Sequence, residues 1–163
     1  MPLALLITLA CAEKTPEDTA PPVDTAPVEG FGDLALRMQI DDDYGEAILA
    51  DGESLVGTFR GSLYLSEQVT GAGPDEGAEA LASLFIETVD LSSYEPTDVL
   101  LTVEGLPSGY VTALGFFDSD NNVDPDNADP DTGDPVTLPF DNELLVVANT
   151  VTEGVIFLGF RNP

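Results

Sequence analysis

Alternation of apolar and polar residues is the feature that most constrains the fold of this chain. It begins near residue 30, where GDLALRMQI places every second residue on a single apolar face. A period of two predicts a β-strand with one face buried. The segment SLVGTFRGSLYL repeats the pattern. The residues expected to face inward are Leu34, Leu36, Met38 and Ile40 in the first segment, and Leu55, Phe59, Leu63 and Leu65 in the second.

Five further segments have the same character, and turn-forming residues separate them. They are ASLFIETVDL, TDVLLTVEG, GYVTALGFF, NELLVVAN and GVIFLGF. Only GPDEGAEALASLF has a composition compatible with a helical turn or two, and its continuation alternates like a strand. About seven short strands without alternating helices predict an all-β fold, a single antiparallel β-sandwich over residues 30–163. The hydrophobic content of 43% is sufficient for its core.

Composition excludes several functional classes. The chain has no histidine and one cysteine, so it lacks a Ser-His-Asp or Cys-His arrangement and a zinc site of His and Cys. Its net charge of −27 argues against nucleic acid and anionic lipid surfaces as partners. Because these catalytic arrangements are missing, we predict a protein that is not an enzyme.

The amino-terminal residues predict an anchor. The apolar run PLALLITLA ends just before Cys11 and is far shorter than the roughly 20 residues that cross a bilayer. A run of this length ending in Ala-Cys resembles a bacterial lipoprotein signal, which implies a signal-like segment at 1–10 and lipidation of Cys11. Residues 11–29 then form the lipidation site and a disordered, proline-rich tether. The resemblance implies a lipid-anchored protein of the bacterial cell envelope, at the outer membrane or cell surface rather than in the cytoplasm.

The segment TDVLLTVEGLPSGYVTALGFFD indicates the type of sandwich. Leu106, Pro107, Gly109 and Tyr110 form a leucine-proline turn with a glycine, followed by a strand that opens on tyrosine. This arrangement resembles prealbumin-like and carboxypeptidase-regulatory-like domains. The resemblance implies a structural or adhesive module, with a protein or glycan partner that remains unknown.

The stretch DSDNNVDPDNADPDTGD predicts a calcium site. It holds seven aspartates between Asp118 and Asp134, and no basic residue lies between Gly61 and Phe160. Alternate oxygen-bearing side chains in a tight loop can converge on Ca²⁺, which accepts six to eight oxygens. The predicted ligands are Asp118, Asp120, Asn122, Asp124, Asp126 and Asp129.

The run resembles EF-hand-type loops and the aspartate-rich repeats of thrombospondin-like proteins, with two departures. Val123 stands where an EF-hand has glycine, and no helices are predicted on either side. We therefore expect a β-hairpin loop around an ion. A second cluster, Asp129, Asp131 and Asp134 around Gly133, is expected to complete that site or to form another.

Three alternatives compete with the calcium site, and the residues present exclude the second. Asp, Asn, Pro and Gly are common in solvated turns, so the run is also compatible with a surface loop of a protein adapted to salt. The segment LGFFDSD also resembles the start of haloacid-dehalogenase-type phosphotransferases, but Lys14 is the only lysine and no α/β pattern accompanies it. The third alternative to a calcium-stabilised structural module is a carbohydrate- or protein-ligand-binding module without a specific metal site.

Overall fold

The computed structural model describes residues 30–123 and 129–163. Cys11, the tether, Asp124 and Asp126 lie outside them. The described part confirms the predicted all-β sandwich. Its strands are β1 (Phe31–Ile40), β2 (Val56–Leu65), β3 (Val69–Thr70), β4 (Gly73–Pro74), β5 (Ala82–Asp90), β6 (Leu101–Pro107), β7 (Gly109–Asp118), β8 (Pro135–Val136), β9 (Glu143–Val146), β10 (Val151–Leu158) and β11 (Phe160–Arg161).

The strands form two sheets and a small ribbon. The first sheet has the order β10-β1-β6. The second has the order β11-β8-β7-β2-β5, and β9 pairs with the first half of β7. β3 and β4 form the ribbon. Most pairs are antiparallel, as predicted, but β1 and β10 run parallel. Such a pair requires a crossover between its strands, and all strands of the second sheet except β11 lie between them in sequence.

The core lies between the apolar faces of the two sheets. Every predicted inward residue of β1 is buried, and Leu55, Phe59 and Leu63 are buried on the second segment, whereas Leu65 is only half-buried. Close packing across β2 and β7 depends on Gly115. A Cβ there would lie 2.7 Å from Cζ of Phe59, so the glycine leaves room for the phenylalanine ring.

One helix is present in the described residues, but not where the sequence pattern suggested. Residues 73–85 contain no helix, and α1 spans Asp42–Ala50 directly after β1. Asp41 caps it by accepting a hydrogen bond from the backbone N–H of Asp43. The acidic residues of the first turn interact favourably with the positive end of the helix dipole. Within the described ranges, no helix is long and apolar enough to cross a membrane.

The predicted leucine-proline turn joins the two sheets. β6 ends at Pro107 in the first sheet and β7 begins at Gly109 in the second. Gly109 has φ 132°, a conformation that glycine adopts readily and other residues rarely do. The turn therefore brings β7 into the second sheet, where its other end carries the aspartate run.

Candidate functional site

The aspartate run connects two strands of the second sheet. β7 ends at Asp118, and β8 returns beside it with Phe116 opposite Val136. This antiparallel pair forms the predicted β-hairpin. Asp118 is only 3% exposed, and it points to the same side of the sheet as Phe116 because side chains alternate along a strand. The hairpin therefore places a buried carboxylate at the end of β7, an interior strand of the sheet.

The residues after Asp118 fold into a tight turn around its carboxylate. The backbone N–H of Asn122 donates to Oδ1 of Asp118 at 3.1 Å and to Oδ1 of Asp120 at 3.2 Å. The side-chain amide of Asn122 donates to Oδ2 of Asp120 at 2.7 Å. Asn121 has φ 55°, and its Oδ1 accepts a hydrogen bond from the Thr58 hydroxyl. Three predicted ligands, Asp118, Asp120 and Asn122, are therefore brought together.

Two acidic residues that were not among the predicted ligands join this turn. Asp134 is 4% exposed and accepts hydrogen bonds from the backbone N–H groups of Asp131 and Ser119. Glu53, from the segment before β2, accepts a hydrogen bond from the Ser119 hydroxyl. We call Asp118, Asp120, Asp134 and Glu53 the acidic cluster. Asp134 belonged to the second predicted group, whereas nothing in the sequence around Glu53 pointed to this place.

Burial and mutual repulsion affect the protonation of the acidic cluster. Burial, together with the charges of Asp118 and Asp120, raises the pKa of Asp134 to about 6, against the lowering effect of its two backbone hydrogen bonds. The pKa of Asp120 is raised by loss of hydration and by the neighbouring charges of Asp118 and Glu53, although a backbone hydrogen bond from Asn122 lowers it. The cluster therefore favours a proton or another cation.

Arg161 is the cation beside this cluster. Its guanidinium lies 2.7 Å from a carboxylate oxygen of Asp51 and 3.6 Å from one of Glu53. Its Nε donates to the backbone carbonyl of Gly133 at 2.7 Å. Arg161 therefore neutralises the Glu53 side of the cluster, and none of its ion pairs reaches Asp118, Asp120 or Asp134.

The remaining predicted ligands are elsewhere or undescribed. Asp129 lines a groove that includes none of Asp118, Asp120 and Asn122. Asp124 and Asp126 lie outside the described residues. Within residues 30–123 and 129–163, no three carboxylates converge closely enough to form a complete metal-binding group. The described donors would supply part of an oxygen shell for calcium.

The groove lies on the outer face of the second sheet, the face turned away from the core. Its volume is about 1040 Å³. A row of side chains crosses it, one from each of five neighbouring strands, and the strand registers align them. In order from β5 to β11 these residues are Phe85, Arg60, Phe116, Val136 and Phe160.

Exposure differs along this row, which we call the aromatic row. Phe116 is 5% exposed and forms the floor, whereas Phe85 is 51% and Phe160 is 39% exposed. The Arg60 guanidinium carbon lies 5.0 Å from the centre of the Phe85 ring, within range of a cation–π interaction. This row could not be predicted from the sequence, because an alternating pattern gives the outward positions of each strand but not the register between strands.

Comparisons with protein-family models, with curated proteins and with solved structures give no match to this chain. The site must therefore be interpreted from its own chemistry. The acidic cluster offers oxygen ligands to a cation, and the groove offers an apolar surface with one positive charge. The two lie on the same face of one sheet, since Phe116 and Asp118 are alternate residues of β7.

Proposed function

We propose that this protein is a non-catalytic, lipid-anchored module of the bacterial cell envelope, in which calcium stabilises the aspartate-rich hairpin of a prealbumin-like β-sandwich. The observation that carries the calcium proposal is the turn at Asp118–Asn122, which gathers two carboxylates and an amide and lies beside buried Asp134. Such a cluster is destabilised by its own charge, so a bound divalent cation would offset the repulsion.

The proposed ligands differ in how firmly they are held. Asp118 and Asp120 are held in place by the hydrogen bonds that they accept from the backbone N–H of Asn122. Asp134, on the other arm of the hairpin, is held in the same way by the backbone N–H of Asp131. Asp124 and Asp126 lie between these arms in sequence and would supply further oxygens. Bound calcium would then hold the end of β7 to the start of β8 and stabilise the folded state by mass action.

The calcium proposal is tested by thermal unfolding. We expect millimolar CaCl₂ to raise the melting temperature by more than NaCl of equal ionic strength. The Asp118→Asn, Asp120→Asn double variant should lose that excess while keeping the general salt effect. The matched control is Glu76→Gln with Glu79→Gln, which removes two exposed carboxylates from the segment between β4 and β5. If the melting temperature rises equally in all three proteins, or equally with both salts, the hairpin is a charged surface loop without a specific calcium site.

The anchor proposal rests on the sequence of residues 1–29 and needs a separate test. We expect the full chain, expressed in a bacterium, to incorporate labelled fatty acid and to partition into detergent. Cys11→Ala should abolish both. Cys11 is the only cysteine, so labelling that persists in this variant would contradict lipidation there.

A specific observation favours a second function, a ligand-binding module. The outer-face groove has the apolar lining and the few polar groups that are typical of small-molecule sites, and its volume is at the upper end of their range of roughly 300–1,000 Å³. The groove lining includes none of the acidic cluster, and Asp129 is the one predicted calcium ligand that it contains, so the two proposals can be tested separately. Binding of any small apolar or amphipathic molecule at the aromatic row would support it.

A further inference from the structure

Arg60 occupies an unusual position among the described arginines. Arg37 pairs with Glu153 at 3.3 Å, and Arg161 pairs with Asp51 and Glu53. Arg60 has no ion pair with any described residue, although the chain contains 31 acidic residues. The positive charge at the centre of the groove is therefore not neutralised by the carboxylates that the structure describes.

The immediate surroundings of Arg60 leave its guanidinium group available. Its cross-strand neighbours are Phe85 and Phe116, which contribute rings and no hydrogen-bond acceptors. Its Nε is shielded from solvent and has no hydrogen-bond partner in the described structure. The same is true of Nε of Arg37, but there the charge is met by Glu153. The terminal guanidinium nitrogens of Arg60 are not shielded in this way, and they form no hydrogen bond or ion pair with a described residue. They are therefore the atoms that a ligand in the groove can reach, and a carboxylate is the acceptor that a guanidinium binds best.

The surface next to Arg60 is apolar for most of the width of the sheet. Phe116, Val136 and Phe160 follow it on three successive strands, a distance of about 14 Å at about 4.8 Å per strand. These side chains offer no hydrogen bonds, and the nearby Thr137 hydroxyl is already bonded to the backbone of Gly115. An apolar chain fits this line better than a sugar, which needs hydrogen-bond partners along its length.

The charge around the groove limits the ligand to a single negative group. Asp129 contributes a carboxylate to the lining, and the chain as a whole carries a net charge of −27. A polyanion would be repelled, whereas one carboxylate placed at Arg60 would meet the positive charge of the groove.

We propose that the outer-face groove binds a single-chain amphipathic carboxylate, a molecule of the fatty-acid type. The carboxylate lies at the Arg60 guanidinium, and the apolar chain lies over Phe116 and Val136 towards Phe160. This inference rests on the ligand-binding function proposed above and does not depend on calcium. The acidic surface elsewhere would direct the negative group to this one position.

The test compares two probes of equal chain length, dodecanoate below its critical micelle concentration and dodecanol below its solubility limit. Binding is followed by calorimetry and by shifts of backbone amide resonances. We expect dodecanoate to bind with shifts centred on β2, β5 and β7, and dodecanol to bind about tenfold or more weakly because it lacks the charge-assisted hydrogen bonds. Arg60→Gln should weaken dodecanoate by about the same factor and leave dodecanol unchanged. The control Arg37→Gln, on the other sheet, should bind both probes as the wild type does.

The outcomes distinguish the carboxylate assignment at Arg60 from the ligand-binding function of the groove. If dodecanol binds at the aromatic row as tightly as dodecanoate, the groove is a ligand site but the carboxylate assignment is wrong. If neither probe binds, both the assignment and the ligand-binding function fail. Dodecanoate shifts located away from β2, β5 and β7 also overturn the proposal. The two probes are compared on the wild-type protein, so the test remains decisive even if Arg60→Gln does not fold.

Discussion

The acidic cluster and the aromatic row lie on the same face of one sheet and differ in almost every physical property. At Asp118, carboxylates are crowded, partly buried and short of positive charge. Two residues earlier along β7, Phe116 lies beside an arginine without a described carboxylate partner. The difference shows that a net charge of −27 describes the chain but not its sites. Local register decides whether a given position repels or attracts an anion.

The largest expected effect concerns the floor of the aromatic row. Phe116→Ala removes a ring that is 5% exposed and should lower the free energy of unfolding by about 3–5 kcal/mol, because it leaves a cavity beneath the row. The matched change Phe85→Ala, at a ring that is 51% exposed, should cost about 1 kcal/mol or less. Chemical denaturation measures both values. Equal losses would mean that the floor and the rim of the groove do not differ.

The next effect concerns pH and the acidic cluster. The folded-state pKa of Asp134 is raised from 3.8 to about 6, so the folded protein holds a proton that the unfolded chain has lost in this interval. The free energy of unfolding should therefore fall as pH rises from about 4 to 6 and should change little above that, with a contribution from Asp134 of at most about 3 kcal/mol.

This pH dependence is measured by denaturation in a chelating buffer, so that divalent ions do not contribute. Asp134→Asn removes the titrating group and should flatten the profile between pH 4 and 6. It should also make the protein more stable than the wild type at pH 7. A profile that is unchanged in this variant would place the pH dependence in other carboxylates.

A smaller effect separates the two arginines of this sheet. Arg161→Gln leaves Asp51, and Glu53 of the acidic cluster, without their ion-pair partner. It should lower the free energy of unfolding by about 1–2 kcal/mol. Arg60→Gln breaks no ion pair with a described residue and should change stability by about 0.5 kcal/mol, the small loss of its contact with Phe85. Unfolding at low and high salt checks the order, since salt should reduce only the Arg161 effect.

The smallest effect concerns the backbone of the turn. Asn121 has φ 55°, which asparagine tolerates and glycine adopts freely. Asn121→Gly should therefore change the free energy of unfolding by less than about 0.5 kcal/mol, whereas Asn121→Val should cost about 1–2 kcal/mol because a β-branched residue is strained there. Thermal unfolding of the two variants measures the difference. A strongly destabilised glycine variant would assign the turn's stability to the hydrogen bond from Thr58 instead.

Several elements could be predicted from the sequence because their signals are local. The inward residues of β1 follow from alternation alone, and the turn at Pro107–Gly109 follows from residue types that fix the backbone. The helix was placed wrongly because its signals are weak: an aspartate cap, an acidic first turn and one deeply buried residue, Ile48. The prediction of a calcium hairpin specified Asp118, Asp120 and Asn122 from their spacing, but that spacing carried no information about Glu53.

The sequence by itself determined which side of β1 and of most of β2 faces the core, where the turn at Pro107–Gly109 falls and that seven aspartates are concentrated in one hairpin. These properties depend on neighbouring residues and on the two-residue period of a strand. Only the tertiary structure decided that Asp134 and Glu53 lie near the turn at Asp118–Asn122, that Arg60 lacks a described carboxylate partner, and that five side chains align across five strands. The physical reason is register: side chains far apart in the chain become neighbours only when particular strands pair, and a shift of one residue would turn each of them to the other face.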